Sequence, residues 1–232
     1  MRFLSFCIFS LLTAAPYVTA ENPSVDIELL QEAWKIPTGG SRAKPYYRIT
    51  VDGITFPGER SWEDRWALIK DITDYRGSKI LELGCNVSLA STYLLKYRDA
   101  RSAVGVDRPD DLLAQNDMPQ MIKAARLIQK AFGVSVDLVQ MDMNQTRYEE
   151  ILGQDFDVAF AMSILKWIDD KERFLDYLAN FKKVIYEGHD SDEIEIERFV
   201  KRGYQYTVLG KTHVGVSYPL EQTRTLIYFF KD

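Results

Sequence analysis

Lys79-Ile80-Leu81-Glu82-Leu83-Gly84-Cys85-Asn86 carries a short, mostly apolar strand, Ile80 to Leu83, straight into a turn at Gly84. Everything downstream continues the alternation it begins. The apolar period predicts a helix over Leu89 to Tyr97, a strand over Ala103 to Val106, and a helix over Asp117 to Phe132 stopped by Gly133. A third strand follows over Val136 to Met141, then a short helix over Tyr148 to Leu152 and a fourth strand over Val158 to Met162. Asp169 to Lys182 reads as a helix, Val184 to Glu187 as the fifth strand, and Asp192 to Arg202 as a helix ended by Gly203. Strands alternating with helices at these lengths make a doubly wound, mostly parallel sheet with helices on both faces.

The last two strands break the rhythm. Tyr204 to Leu209 and Thr225 to Phe230 are joined by roughly fifteen residues that hold Gly210, Gly215 and Pro219 and have no helical period. Without a crossover helix they must run antiparallel, so the expected sheet has seven strands with an antiparallel last strand. Upstream, residues 21–60 read as an N-terminal arm with one short helix, Val25 to Trp34, and a turn at Pro37-Thr38-Gly39-Gly40. The main domain then spans 61–232. It opens with a helix over Trp62 to Tyr75, which a capping box at Ser61-Trp62-Glu63-Asp64 starts.

The 232 residues suffice for one α/β domain without disulfides or metals, and a net charge of −5 gives no general pull toward nucleic acid or anionic lipid. No zinc-ligand spacing, P-loop or nucleophile elbow is present. Residues 1–20 differ from the rest: Arg2, an apolar run from Phe3 to Ala15, then Val18 and Ala20 as small residues before Glu21. This three-part pattern is that of a cleavable signal peptide, cut after Ala20, for a protein exported to a periplasm or medium with no membrane span left. Cys7 would leave with it, and Cys85 alone would stay.

In an open α/β sheet ligands lie at the carboxyl ends of the strands, where strand order reverses. Four such ends carry suitable residues: Glu82, Gly84 and Asn86 after the first strand, Asp107 after the second, Asp142 and Met143 after the third, Met162 and Ser163 after the fourth. Gly84 lets a ligand approach the backbone. Asp107 stands one strand-helix-strand unit beyond Glu82, and its two carboxylate oxygens suit two adjacent ribose hydroxyls.

Glu82-Leu83-Gly84-Cys85-Asn86-Val87-Ser88 resembles the first motif of the class I S-adenosylmethionine-dependent methyltransferases, and the order of the strand ends behind it matches that family from Lys79 to Glu187. The resemblance implies a Rossmann-like methyltransferase fold with S-adenosylmethionine as cofactor. It puts Glu82 at the methionine end, toward the ammonium group. It puts Asp142 at the adenine amino group, Met143 on the ring, and Met162 and Ser163 along the methionine moiety. Asn86 and Ser88 replace two glycines common in the family. Ser88 is expected to cap the next helix and to take space the family keeps open, which bears on turnover more than on binding.

For a proton acceptor, Glu187 and His189 stand just after the fifth strand, on the substrate side of such a fold. His213 lies in the terminal loop. Tyr46, Tyr47 and Arg48 with Arg60, Trp62, Arg65 and Trp66 are either a lid with cationic anchors for an anionic substrate or the apolar packing of the arm. Trp167 is either a pocket wall or a core residue of the next helix. Three function classes remain open: methyl transfer to a small or glycan-like acceptor, a cofactor-binding interaction protein without turnover, and an NAD-dependent oxidoreductase.

Overall fold

The computed structural model describes residues 24–38, 45–109, 121–153 and 155–232. The leader over 1–20, and the beginning of the helix expected from Asp117, lie outside the described residues.

The arm contains more order than one helix. Helix α1 (Ile27–Ala33) is capped by Asp26, whose side chain accepts from the Leu29 N–H at 3.1 Å. Behind it, β1 (Tyr47–Val51) pairs antiparallel with β2 (Ile54–Phe56) and parallel with β3 (Arg60–Ser61) in a three-stranded sheet. The β1–β2 turn is Asp52-Gly53, both at positive φ (50° and 78°), as a two-residue hairpin with right-handed strand twist requires.

Helix α2 (Trp62–Ile69) starts as expected, with Ser61 Oγ accepting from the Asp64 N–H, but stops six residues before Tyr75. Tyr75 is buried for another reason. Its phenol donates to the Ile69 carbonyl at 2.7 Å, satisfying a helix-end acceptor that a longer helix would have used internally.

The main sheet comprises β4 (Lys79–Leu83), β5 (Ser102–Asp107), β6 (Asp137–Gln140), β7 (Val158–Met162), β8 (Lys183–Glu187), β9 (Gln205–His213) and β10 (Thr223–Phe230). Its order is β6-β5-β4-β7-β8-β10-β9. Six strands are parallel, and β10 runs antiparallel to both β8 and β9. The final hairpin is longer than its periodicity suggests, because β9 continues to His213 past a register shift opposite Leu226 and Ile227.

Side-chain alternation divides the core between the two faces. Ile80, Val158, Phe160 and Ile185 join α3 (Leu89–Tyr97), α4 (Met121–Phe132) and the arm on one face. Leu81, Ala159, Val184 and Tyr186 join α6 (Lys171–Leu178) and α7 (Asp192–Val200) on the other, below the short α5 (Tyr148–Leu152). Trp62, Trp66, Tyr93, Tyr97 and Phe132 form one chain of ring contacts that fastens α2 to the domain. No described helix is long and apolar enough to cross a membrane.

Candidate functional site

Strand order reverses between β4 and β7, and a cleft of ≈ 600 Å³ opens at their carboxyl ends. Gly84, Asn86, Asp107, Asp142, Met143, Met162, Ser163 and His189 all line it. Two sequence candidates, Glu82 and Glu187, do not.

Glu82 is 3% exposed and lies behind the loop. Its Oε2 accepts from the Ser91 N–H at 3.0 Å, the Ser91 hydroxyl at 2.7 Å and the Ser88 hydroxyl at 3.3 Å. Burial pushes this carboxyl up to about 7, against the pull of those donors and of the α3 amino end. The expected contact with a cofactor ammonium is replaced by a bracing role: Glu82 fixes the first turn of α3, and with it the loop.

Ser88 also departs from expectation. It adopts the left-handed conformation (φ 59°), makes no side-chain cap, and is fully buried. Its hydroxyl faces β5 and Glu82 rather than the cleft. The room it needs is supplied by Gly105, where a Cβ would come within 2.8 Å of Ser88 Oγ. The family's empty space is thus regained from the neighbouring strand. Gly84 (φ +70°) is demanded by contact as well as conformation, since a Cβ there would meet Ile164 Cδ1 at 2.7 Å.

At the other side of the loop, Asn86 (φ 48°) donates its N–H to Asp107 Oδ2 at 2.7 Å, tying the ends of β4 and β5 together. The Asn86 side-chain nitrogen donates to the Thr38 carbonyl at 2.9 Å, while its Oδ1 is buried with no partner. Asp142 Oδ1 accepts from the Asn144 N–H at 3.0 Å, and Met143 is buried beside it. Trp167 is a wall of the cleft and not helix core: it ends a 3₁₀ turn (Leu165–Trp167), is 56% exposed, and stacks under Lys166 with Nζ 4.6 Å from the ring centre.

Below the cleft floor sits a buried charge cluster. Arg60 grips Glu187 through two bonds, Nη1 to Oε2 at 3.0 Å and Nη2 to Oε1 at 2.9 Å. Arg65 donates to the same carboxylate and, through Nη1, to the Tyr47 hydroxyl at 2.7 Å. Thr212 donates to Glu187 Oε1 at 2.7 Å, and the Ser163 hydroxyl donates to Oε2. Burial alone would raise Glu187, yet the two guanidiniums hold it well below the usual carboxylate range. Fully enclosed and ionised at neutral pH, Glu187 has no access to a substrate proton. It positions Ser163, whose backbone, at φ 63°, donates its N–H to the Glu187 carbonyl at 2.7 Å.

The far wall comes from the two ends of the chain. Tyr46, Tyr47 and Glu59 contribute from the arm, and Val214, Ser217 and Tyr218 from the β9–β10 loop. Glu59 joins them by accepting from the Ser217 N–H at 2.8 Å and the Ser217 hydroxyl at 2.9 Å. Of the arm residues, Tyr46 and Tyr47 line the cleft, Trp62 and Trp66 pack against α3, and Arg60 and Arg65, expected as anchors for a substrate, are closed in on Glu187. His189 stands where β8 ends. Its backbone N–H is pinned to Glu195 Oε1 at 2.9 Å, and its Nδ1 is buried without a partner. Burial, with Arg224 and Lys166 near, lowers its imidazole to about 4, so it is neutral at pH 7. His213 faces Pro219, with Nε2 2.9 Å from that carbonyl. Arg224 at the start of β10 is the residue the sequence reading missed; nothing in the spacing of Thr223-Arg224-Thr225 marks it as part of the site.

Residues 81–183 match the family model described as a methyltransferase domain. No curated protein matches the chain in sequence. Among solved structures, a methyltransferase from Pyrococcus furiosus is similar at 18% identity and TM-score 0.52, over 73% of this chain and 82% of that one. An S-adenosylmethionine-dependent methyltransferase from Mesorhizobium loti is similar at 10% identity and TM-score 0.53, over 71% and 96%. A structure named EvdMO1 is similar at 14% identity and TM-score 0.59, over 88% of this chain but 47% of its own, so this chain spans about half its length. The matched stretch is that of a methyltransferase domain, and the seven-stranded order around it is the Rossmann-like fold of S-adenosylmethionine-dependent methyltransferases. The donor set fits that cofactor: two carboxylates on adjacent strand ends, an apolar slab of Met143 and Ile164, and the unpartnered Asn86 Oδ1.

Proposed function

We propose that the protein transfers a methyl group to an oxygen or nitrogen of a small or glycan-like acceptor bound at the His189 end of the cleft. One observation carries this most directly: the His189 imidazole, neutral at pH 7, lines the same cleft as the Asp107 and Asp142 strand ends. S-adenosylmethionine, when bound, supplies an electrophilic methyl on a sulfonium. Asp107 would hold its ribose, Asp142 and Met143 its adenine, and Met162 and Ser163 would border its methionine. The chain's remaining work is alignment and exclusion of water, which falls to Trp167 and to the Glu59–Ser217 clasp. The His189 imidazole takes the acceptor's proton. Removing a positioned base of this kind typically costs about 10²–10⁴-fold in rate.

Calorimetry with S-adenosylmethionine, S-adenosylhomocysteine and NAD tests the cofactor assignment. Failure of the first two to bind, or tighter binding of NAD, sinks it. His189→Ala should then lower kcat while leaving S-adenosylhomocysteine affinity within about twofold. We further propose export through cleavage after Ala20; a mass for the secreted chain that begins at Glu21 supports it, and an intact N-terminus in a cytoplasmic fraction refutes it.

A further inference from the structure

Arg60, Arg65 and Arg224 converge on one oxygen, Ser163 Oγ, at 3.2, 3.3 and 2.8 Å. Among the described residues, Glu187 is the one carboxylate within ion-pair reach of all three, at 2.9, 2.5 and 4.0 Å. Three guanidiniums facing one carboxylate leave an excess of two positive charges in a largely dehydrated place, an arrangement that calls for another anion. Neighbouring groups register the field. Although burial pushes the Tyr46 phenol up, Arg65 and Arg60 hold it below its ordinary value, and burial followed by Arg60 lowers Arg224 itself.

The three arginines are not equivalent. Arg60 and Arg65 are closed in, with side chains 1% exposed, and both grip Glu187. Arg224 is 16% exposed, lies at the edge of ion-pair range, and among the described residues its side chain makes one hydrogen bond, Nη1 to Ser163. Most of its donor fork therefore remains for a ligand. It also occupies a distinctive place. Besides the main cleft, a second cavity of ≈ 320 Å³ opens beside α7, and Arg224 and His189 line both. The groups that act on the imidazole are Arg224 on β10, Lys166 on the 3₁₀ turn, and Glu187 with Arg60 beneath; Glu195 holds the His189 N–H, and of the carboxylates lining the second cavity Asp190 is paired with Arg198, Asp192 with Lys211, and Glu193 lies at the start of α7.

Resting on the methyltransferase assignment above, we infer that Arg224 and His189 form an oxyanion subsite between the two cavities, and that the methyl acceptor carries a carboxylate or phosphate which docks on Arg224. A hydroxyl or amine elsewhere on the same molecule is then the group methylated. Its oxygen or nitrogen bonds to the methyl carbon, the carbon–sulfur bond breaks with its electron pair left on sulfur, and the acceptor proton passes to the His189 imidazole. The bound oxyanion has a second effect: it offsets the field of Arg224 and Lys166 and makes His189 a stronger base only when an acceptor is present. Two molecules in the reaction carry an oxyanion, the acceptor and the methionine end of the cofactor, so the test must separate them.

The full chain, saturated with S-adenosylhomocysteine, is titrated with inorganic phosphate and with acetate. Millimolar binding is expected, at least tenfold weaker in Arg224→Met, partly restored in Arg224→Lys, and unchanged in the exposed Lys171→Met. Affinity for S-adenosylhomocysteine should stay within about twofold in Arg224→Met. Equal anion binding by wild type and Arg224→Met, or none by wild type, overturns the subsite. So does a proportional loss of S-adenosylhomocysteine affinity in Arg224→Met, which would assign the oxyanion to the cofactor. If S-adenosylhomocysteine fails to bind wild type, the methyltransferase assignment falls, while phosphate titration of the protein alone still decides the subsite. A second readout needs no arginine variant: in His213→Asn protein, the NMR titration midpoint of His189 should rise by at least one pH unit on adding phosphate, and an unmoved midpoint refutes the coupling.

Discussion

Glu187→Gln is the sharpest test of how the cleft floor is held together. The change removes one charge and almost no volume, yet it leaves Arg60 and Arg65, both closed from water, without the carboxylate that accepts from each of them. Breaking a buried pair by removing one partner costs about 3–5 kcal/mol, because the remaining charge keeps its desolvation penalty and loses its compensation. The upper part of that range applies here, since two guanidiniums are orphaned and Thr212 and Ser163 each lose a charged acceptor. For a chain of this size about 4 kcal/mol corresponds to a fall in Tm of roughly 8–16 °C. Urea denaturation at pH 7, read by near-ultraviolet circular dichroism, measures it. Linkage makes a second demand. Because the folded state holds Glu187 well below its ordinary value, its contribution is complete above about pH 5 and is lost as pH falls toward the folded value. The gap between wild type and Glu187→Gln should therefore be constant from pH 6 to 8 and narrow under acid. A destabilisation below about 1 kcal/mol, or a gap that widens under acid, would refute the assignment of Glu187 as the ionised anchor of the floor.

Other expectations follow from the cofactor half. Glu82 has the opposite sign: with its folded value near 7, the folded state keeps a proton that the unfolded state releases near 4.5, so stability should fall as pH rises across that window and level off above it. Glu82→Gln should flatten this slope by about 2–3 kcal/mol between pH 5 and 8, and a parallel profile for variant and wild type would contradict the burial argument. Asp107→Ala should weaken S-adenosylhomocysteine by about 10–100-fold in calorimetry; an unchanged affinity would remove Asp107 from the ribose. Ser88→Gly should leave that affinity within about twofold, because the hydroxyl faces β5, whereas a tenfold gain would mean Ser88 obstructs the cofactor after all. Gly105→Ala should destabilise by about 1–3 kcal/mol through its contacts with Ser88, Cys85 and Leu138, and thermal melts should show partial recovery in the Ser88→Gly background.

The two halves of the cleft differed in how far they could be read in advance. Gly84, Asn86, Asp107, Asp142 and Met143 were legible because each ends a strand or lies within three residues of its end, and a parallel sheet brings successive strand ends to one edge. Side-chain direction was not legible. Glu82 and Ser88 sit in the motif, yet turn inward to each other and to Ser91, an outcome set by the left-handed turn at Ser88 and by the space above Gly105. The acceptor half depends on packing between distant segments. Glu187 looked like a proton acceptor because its two arginine partners lie more than a hundred residues upstream. Arg224 occupies an unremarkable strand position and acquires its place from the antiparallel pairing of β10 with β8. The β1–β2 hairpin was in principle readable from Asp52-Gly53 between Val51 and Ile54, but mixed composition obscured the short strands.

The Glu59–Ser217 clasp has a bearing on how the molecule matures. It closes a loop of 158 residues, and the Arg60–Glu187 tie beneath it closes one of 127. Closure entropy grows slowly with length, but the first contact cannot form until nearly the whole chain has been synthesised and the second until about four fifths of it has, with the sheet between assembled. The strand ends from β4 to β7, by contrast, are complete after about two thirds of the sequence. A nascent or C-terminally trimmed chain would thus own its cofactor ledge before it owns an acceptor chamber, and loss of the last twenty residues would abolish the chamber first.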